Sequence, residues 1–277
     1  MARAVGARVR AAKSSLEYTR GARKVALVVA QQTSTAVSSE GLLKGKRALV
    51  TGASRGIGAC IAINFAREGA QLVLVARTKN DLEKIGEECT KAGAEEVDVR
   101  PCSLMDGAAV QKLGEAVLAD YGHVDVLVNA AGIFEYSSAL EGDIDAADEL
   151  LYLNLNSPIR LTRVLAPAMA ENGGGDIINI SSVAGIEAYG NQAVYAASKH
   201  GITGWSNSIQ QELVGKVRVI SILPAKTNSS MSAGRGPPEE MIQPQDVAEA
   251  ALLPFRMTSK ACPSEIVIRN AVDAGGT

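Results

Sequence analysis

The sequence predicts one α/β domain: a doubly wound parallel sheet of about seven strands with helices on both faces. Three observations point to it. From Lys46 onward, short apolar runs alternate with amphipathic stretches of helical length. Several of the runs are apolar throughout, as strands covered on both faces must be. The first run passes through a glycine-rich turn directly into a helical stretch.

Taken in order, the chain begins with a basic extension over residues 1–43. Residues 1–24 carry seven basic groups and one acid, Glu17, close to +6, so the net charge of −2 leaves about −8 on the rest. Val5, Val9, Ala12 and Leu16 fall at helical spacing among the arginines. That is the composition of an organelle transit peptide, mitochondrial or plastid; the alternative is a solvated basic tail on a cytoplasmic protein. The apolar run from Val25 to Ala30 is too short to span a membrane, so no integral membrane segment is expected.

The domain proper covers residues 44–277. Strands are expected at residues 47–51, 71–76, 97–100, 125–130, 176–180, 217–222 and 265–268. Helices are expected at residues 57–68, 81–92, 108–121, 146–171, 192–214 and 245–255. Residues 172–175, Asn-Gly-Gly-Gly, read as the loop after a long helix. Residues 225–243, rich in Gly, Pro and Ser, follow the sixth strand on the side where open α/β sheets bind ligands, and read as a mobile substrate flap.

Composition excludes some functions. With 47% hydrophobic and 21% charged residues, the chain builds one large core and is not disordered. An acidic body is unsuited to nucleic acid, which is held by basic stripes. Cys60, Cys89, Cys102 and Cys262 form no CxxC and have no histidine at ligand spacing, so they read as reduced and structural, with no metal implied.

The chemistry concentrates at strand ends. Gly52, Gly56 and Gly58, with Ser54, Arg55 and Ile57 between them, separate the first strand from the first helix. Glycines there let the backbone approach a pyrophosphate, and the helix start offers free amides to the anion. The spacing is GxxxGxG, which departs from GxGxxG. Arg77 stands at the end of the second strand, where an acid would accept from the ribose 2′-hydroxyl of NAD. An arginine cannot accept, but it pairs with a 2′-phosphate, and with Arg55 it argues for NADP(H). Tyr195 and Lys199, at i and i+4, share one helix face and can address one substrate atom and one cofactor.

In combination these pieces resemble a short-chain dehydrogenase/reductase, from about Lys44 to Asn270. Thr51 and the glycine turn, Asn129-Ala130-Ala131-Gly132, Asn154, Ser182, Tyr195-x-x-x-Lys199 and Pro224 stand in that family's order and spacing. The resemblance implies that Tyr195 exchanges the proton with the carbonyl oxygen while hydride passes to or from nicotinamide. A free phenol titrates near pH ~10, and Lys199 is expected to favour the phenolate and to reach the nicotinamide ribose. The family further implies that Ser182 orients the substrate oxygen, that Asn154 holds a water linking Lys199 to solvent, and that Asn129, Ala130 and Gly132 floor the cofactor.

Three positions depart from the family pattern. Ala225 replaces the usual glycine after Pro224, which restricts φ; Ser229 replaces a threonine at the nicotinamide carboxamide and keeps its hydroxyl; Ser103 replaces an aspartate beside the adenine. The expected activity is NADP(H)-dependent interconversion of a ketone, aldehyde or 3-oxoacyl group with its alcohol. The substrate would be a small carbonyl compound or an acyl thioester, the latter resembling 3-oxoacyl-carrier-protein reductases of organellar fatty-acid synthesis, and the protein a homo-dimer or homo-tetramer. A non-catalytic NADP-binding scaffold or sensor would show decay in Asn154, Ser182, Tyr195 and Lys199, and the sequence shows none.

Overall fold

The computed structural model describes residues 41–271. Residues 1–40, with the expected transit peptide, lie outside the described residues, as do residues 272–277. The elements run β1 (Arg47–Thr51), α1 (Gly56–Arg67), β2 (Gln71–Ala76), α2 (Lys79–Ala92), β3 (Glu96–Pro101), α3 (Gly107–Tyr121), β4 (Val126–Asn129), α4 (Ile144–Leu151), α5 (Ser157–Glu171), β5 (Gly175–Ile180), α6 (Ala193–Glu212), β6 (Val217–Pro224), α7 (Pro244–Leu252) and β7 (Glu265–Ile268). The strands form one sheet in the order β3-β2-β1-β4-β5-β6-β7, every neighbour parallel. The order reverses between β1 and β4, and at such a reversal the two adjoining loops part to leave a crevice at the strands' carboxyl ends.

Alternation along the strands sorts the core into two layers. Ala48, Val50, Leu72, Leu74, Val126 and Val128 meet Ile61, Phe65, Leu82 and Val247 of α1, α2 and α7. Leu49, Val73, Val75 and Leu127 turn to the opposite face, against Val110, Leu113, Leu161 and Leu165 of α3 and α5. Phe65 is fully buried and meets the Phe255 ring edge-on at 5.8 Å; truncating such a side chain to alanine costs about 3–5 kcal/mol.

Helix ends follow local chemistry. The Asp106 carboxylate accepts from the amides of Ala108 and Ala109 to cap α3, and Asp143 does the same for α4 through Asp145 and Ala146. Helix α1 differs: it starts after Arg55 with no side-chain cap and no acid in its first turn, which leaves its leading amides for another acceptor.

The expected helix over residues 146–171 is not continuous. A π turn, Tyr152–Asn156, separates α4 from α5, and the Ser157 amide donates back to Tyr152. Pro158, in the first turn of α5, explains the break, because it has no N–H to return to the Asn154 carbonyl. The flap is also more built than expected. A parallel bridge, Thr227 to Ile242, closes its base; two short 3-10 turns, Ser230–Ser232 and Pro238–Glu240, shape it, and the buried Met241 and Ile242 anchor it.

Among the described residues no helix is long and apolar enough to cross a membrane. Within the same set, the four cysteines are free and no group of three or more His, Cys, Asp or Glu is arranged to hold a metal.

Candidate active site

The ends of β1 and β4 are clasped by one side chain. Thr51 Oγ1 donates to the Val128 carbonyl at 3.3 Å and accepts from the amides of Ala130 and Ala131 at 3.1 and 3.2 Å. This brings the glycine turn against the β4 loop so closely that side chains are excluded. Gly52 sits at φ 66°, and a Cβ there would lie 2.8 Å from Ala131 backbone; a Cβ on Gly58 would lie 2.4 Å from the Gly52 carbonyl oxygen. Gly56, at φ 58°, lies beneath Ser229, the flap's first capping residue. The result is a bare backbone cradle opening onto the uncapped start of α1, which suits a pyrophosphate.

A cavity of about 660 Å³ extends from this cradle under the flap. Ile57, Ala130, Gly132, Ser182, Tyr195, Lys199, Pro224 and Ser229 line it. Ser54 and Arg55 belong to the adjoining glycine turn, and Arg77 and Ser103 follow β2 and β3, with Arg55, Arg77 and Ser103 exposed. Among the described residues, neither Arg55 nor Arg77 is engaged in an ion pair or side-chain hydrogen bond.

Residues of β5 and α6 supply the polar centre. Ser181 Oγ bonds Thr203 Oγ1 at 2.7 Å and the Lys199 carbonyl at 3.2 Å, docking α6 on the end of β5. Ser182 Oγ accepts from the Ala184 amide at 3.1 Å, which leaves its proton to be donated to the Tyr195 phenol oxygen or to a substrate oxygen. Tyr195 is 9% exposed, with the Phe134 ring edge-on at 4.8 Å. Burial pushes its phenol up; hydrogen bonding with Ser182 and the charge of Arg235 pull it down without reversing the shift.

Lys199 behaves differently from the sequence expectation. Its ammonium donates to the Ile180 carbonyl at 2.9 Å and lies 5.6 Å from the Tyr195 ring centre. Burial lowers its pKa from the usual 10.5 to about 8. The expected depression of the Tyr195 pKa by Lys199 is therefore corrected: desolvation is the largest influence on the phenol, and the opposing pull comes from Ser182 and Arg235.

Asn154 and Asn129 also differ in detail. Asn154 Oδ1 accepts from the Ile133 amide at 2.9 Å, and its Nδ2 donates to the Ile133 carbonyl at 2.9 Å and Ser198 Oγ at 3.2 Å. Through these bonds the side chain also holds the β4 loop. Asn129 Nδ2 donates to Asn179 Oδ1 at 2.8 Å and Thr162 Oγ1 at 3.3 Å, inside the fold. Asn129 is not among the residues lining the cavity, whereas Ala130 and Gly132 are. Ala225 resolves favourably: its amide donates to the Ile268 carbonyl at 2.8 Å, and among the described residues only Asn191 is a non-glycine at positive φ, so alanine is not strained there.

Sequence reasoning passed over three residues at this site: Phe134, Tyr136 and Arg235. The Arg235 guanidinium stacks over both rings at 4.1 and 5.0 Å. Its signal was the flanking pair Gly234 and Gly236 within the flap.

A backbone cradle for a dinucleotide at the switch point, beside a buried phenol and lysine, defines a nicotinamide-dependent oxidoreductase of the α/β type. The family model for short chain dehydrogenase matches residues 46–240. An uncharacterized oxidoreductase of Staphylococcus saprophyticus is 30% identical over 229 residues, covering 82% of this chain and 98% of that protein. A metagenomic short-chain oxidoreductase solved in complex with NADP has 36% identity and a TM-score of 0.74, covering 83% of this chain and all of that one. An alcohol dehydrogenase from the archaeon Thermococcus sibiricus, complexed with 5-hydroxy-NADP, has 26% identity and a TM-score of 0.78 over 84% of this chain and 99% of that one. The chain belongs to the short-chain dehydrogenase/reductase family and is an oxidoreductase acting on CH–OH groups.

Proposed function

We propose that the protein is an NADP(H)-dependent reductase or dehydrogenase that interconverts a small carbonyl compound and its alcohol. The observation that carries this reading is the convergence of Ser182, Tyr195 and Lys199 on one cavity that opens onto the glycine cradle. The cradle fits a dinucleotide because Gly52 and Gly58, where a Cβ would strike neighbouring backbone, keep the turn bare of side chains beside the uncapped start of α1. The cofactor, when bound, supplies or accepts the hydride.

In this reading Ser182 donates to the substrate oxygen, its remaining lone pair being held by the Ala184 amide. Tyr195 gives its proton to that oxygen on reduction and takes it back on oxidation. Burial that raises its pKa keeps the phenol protonated, the form reduction uses. Lys199 offers two further N–H donors beyond the one on Ile180, suited to ribose hydroxyls. Asn154 positions the β4 loop through the Ile133 amide and carbonyl, and in the family's pattern it holds a water that links Lys199 to solvent. Arg55 and Arg77, exposed and unpaired, favour the 2′-phosphate of NADP(H), the cofactor type named for two solved relatives.

A 3-oxoacyl thioester remains the narrower reading, and a homo-dimer or homo-tetramer is part of the proposal. The test is NADPH consumption across a panel of ketones, aldehydes and 3-oxoacyl thioesters, with Tyr195→Phe as control. The variant is expected to bind NADPH and lose at least about 100-fold in rate. Wild-type turnover by Tyr195→Phe would sink the assignment.

A further inference from the structure

The substrate side of the cavity carries a cation that no carboxylate of the described chain answers. Arg235 stands between Gly234 and Gly236, at φ 76° and 137°, so the flap turns sharply on either side of it and the side chain lines the cavity. Its guanidinium stacks on Phe134, and Phe134 in turn packs against Tyr195. One aromatic ring thus separates the guanidinium from the phenol that meets the carbonyl. Stacking fixes a guanidinium plane without using its N–H donors.

Those donors are left over. Arg235 Nε is buried with no hydrogen-bond partner. Glu135, beside Phe134, is exposed and forms no ion pair with it, and Glu187 at the cavity wall is already engaged by Arg269 and Tyr189. Lys226 also lines the cavity; its ammonium donates to the Arg235 carbonyl at 2.9 Å and adds a second positive charge without a carboxylate among the described residues. A buried, unpaired donor on a charged group is costly until an acceptor arrives, and a carboxylate matches the planar fork. The charge of Arg235 already acts on Tyr195, so an anion at one lies within reach of the other.

We infer that Arg235 binds the carboxylate of the substrate, so that the compounds turned over at Tyr195 are short oxo acids and hydroxy acids in preference to neutral ketones. The inference rests on the hydride-transfer reading above and narrows its substrate class.

The test uses matched pairs, acetoacetate with methyl acetoacetate and levulinate with methyl levulinate, on wild type, Arg235→Gln and Arg235→Lys. The wild type is expected to favour the acid. Arg235→Gln lowers kcat/KM for the acid by about 10- to 100-fold and for the ester far less; Arg235→Lys falls between, keeping the charge and losing the fork. Equal losses for acid and ester would make Arg235 only a packing latch, and a parallel loss of NADPH affinity would assign it to the cofactor's phosphates; either overturns the inference, as does preference for the ester. If no compound consumes NADPH, the hydride-transfer reading fails separately. Succinate titrated into the NADP-loaded protein then decides: binding lost in Arg235→Gln supports the inference, and no binding, or equal binding by both, overturns it.

Discussion

Lys199 and Ile180 are joined by a hydrogen bond: the buried ammonium donates to the carbonyl at the end of β5 at 2.9 Å. The lysine is 6% exposed, and no carboxylate accepts from it among the described residues. The fold therefore carries the cost of a desolvated charge at the centre of the site, and the cost is visible in its titration.

That titration predicts a pH dependence of stability. The folded-state pKa of Lys199, about 8, lies below its usual 10.5. Below about pH 8 both states hold the proton and the folded protein bears the full burial cost. Between about 8 and 10.5 the folded protein has released it while the unfolded chain keeps it, so this group's contribution to stability rises with pH. Cys89, pushed up to about 12 by burial, works in the opposite sense above pH 9, but it is common to both proteins compared. Denaturation of wild type and Lys199→Met without cofactor should show curves that differ by on the order of 3 kcal/mol across this window. Curves that stay parallel from pH 7 to 10.5 would refute it.

Asn154→Leu should destabilise the protein by about 2–4 kcal/mol, because it leaves both backbone groups of Ile133 without their partner. Asn154→Asp should cost at least as much at neutral pH, since it keeps the acceptor for the Ile133 amide but sets a buried carboxylate oxygen against the Ile133 carbonyl. Urea denaturation ranks the two. Equal stability of wild type and Asn154→Leu would show that the β4 loop does not depend on this clasp.

Glycine substitutions should separate the cradle from ordinary helix. In Gly58→Ala the new Cβ meets the Gly52 carbonyl oxygen at 2.4 Å, and both partners are backbone, so a loss of at least about 1–3 kcal/mol is expected, together with cofactor binding. Gly204, within α6, has nothing within 4 Å of a Cβ, and Gly204→Ala should stabilise by about 0.5–1 kcal/mol. Thermal melts with and without NADPH read both effects. Tight NADPH binding by Gly58→Ala would contradict the cradle.

Most of the fold was legible because its signals are local. Leu72 to Ala76 is a short run, apolar at every position and rich in Val, as a strand covered on both faces should be. The motif at Tyr195 and Lys199 was legible because helical spacing alone puts both on one face. What escaped depends on distant partners or on one missing atom. Hydrophobic periodicity runs unbroken through residues 146–171, and the π turn arises from the single N–H that Pro158 lacks. Asn129 turns inward because the β4–β5 register sets it opposite Asn179. Arg235 acquires meaning only when the flap brings it over Phe134 and Tyr136, from a loop far earlier in the chain.

In the proposed reading Arg55 and Arg77 select NADP(H), and the two should act jointly. Both are exposed and carry no ion pair among the described residues, so neither is needed to hold the fold. Arg77 directly follows Ala76, the last residue of β2, and Arg55 directly precedes α1. The Ala53 amide bonds the Val75 carbonyl at 3.2 Å, which ties the turn carrying one arginine to the strand carrying the other. A 2′-phosphate between them would receive charge-assisted hydrogen bonds from both, each worth about 1.5–3 kcal/mol. NADH has only a hydroxyl there and gains little from either. The double variant Arg55→Gln, Arg77→Gln should therefore raise the KM for NADPH by about 100-fold or more while changing that for NADH by a small factor. Each single variant should fall between, and raising the salt concentration should weaken NADPH binding to wild type more than to the double variant. Equal losses for NADPH and NADH would show that these arginines support the turn itself and do not read the phosphate.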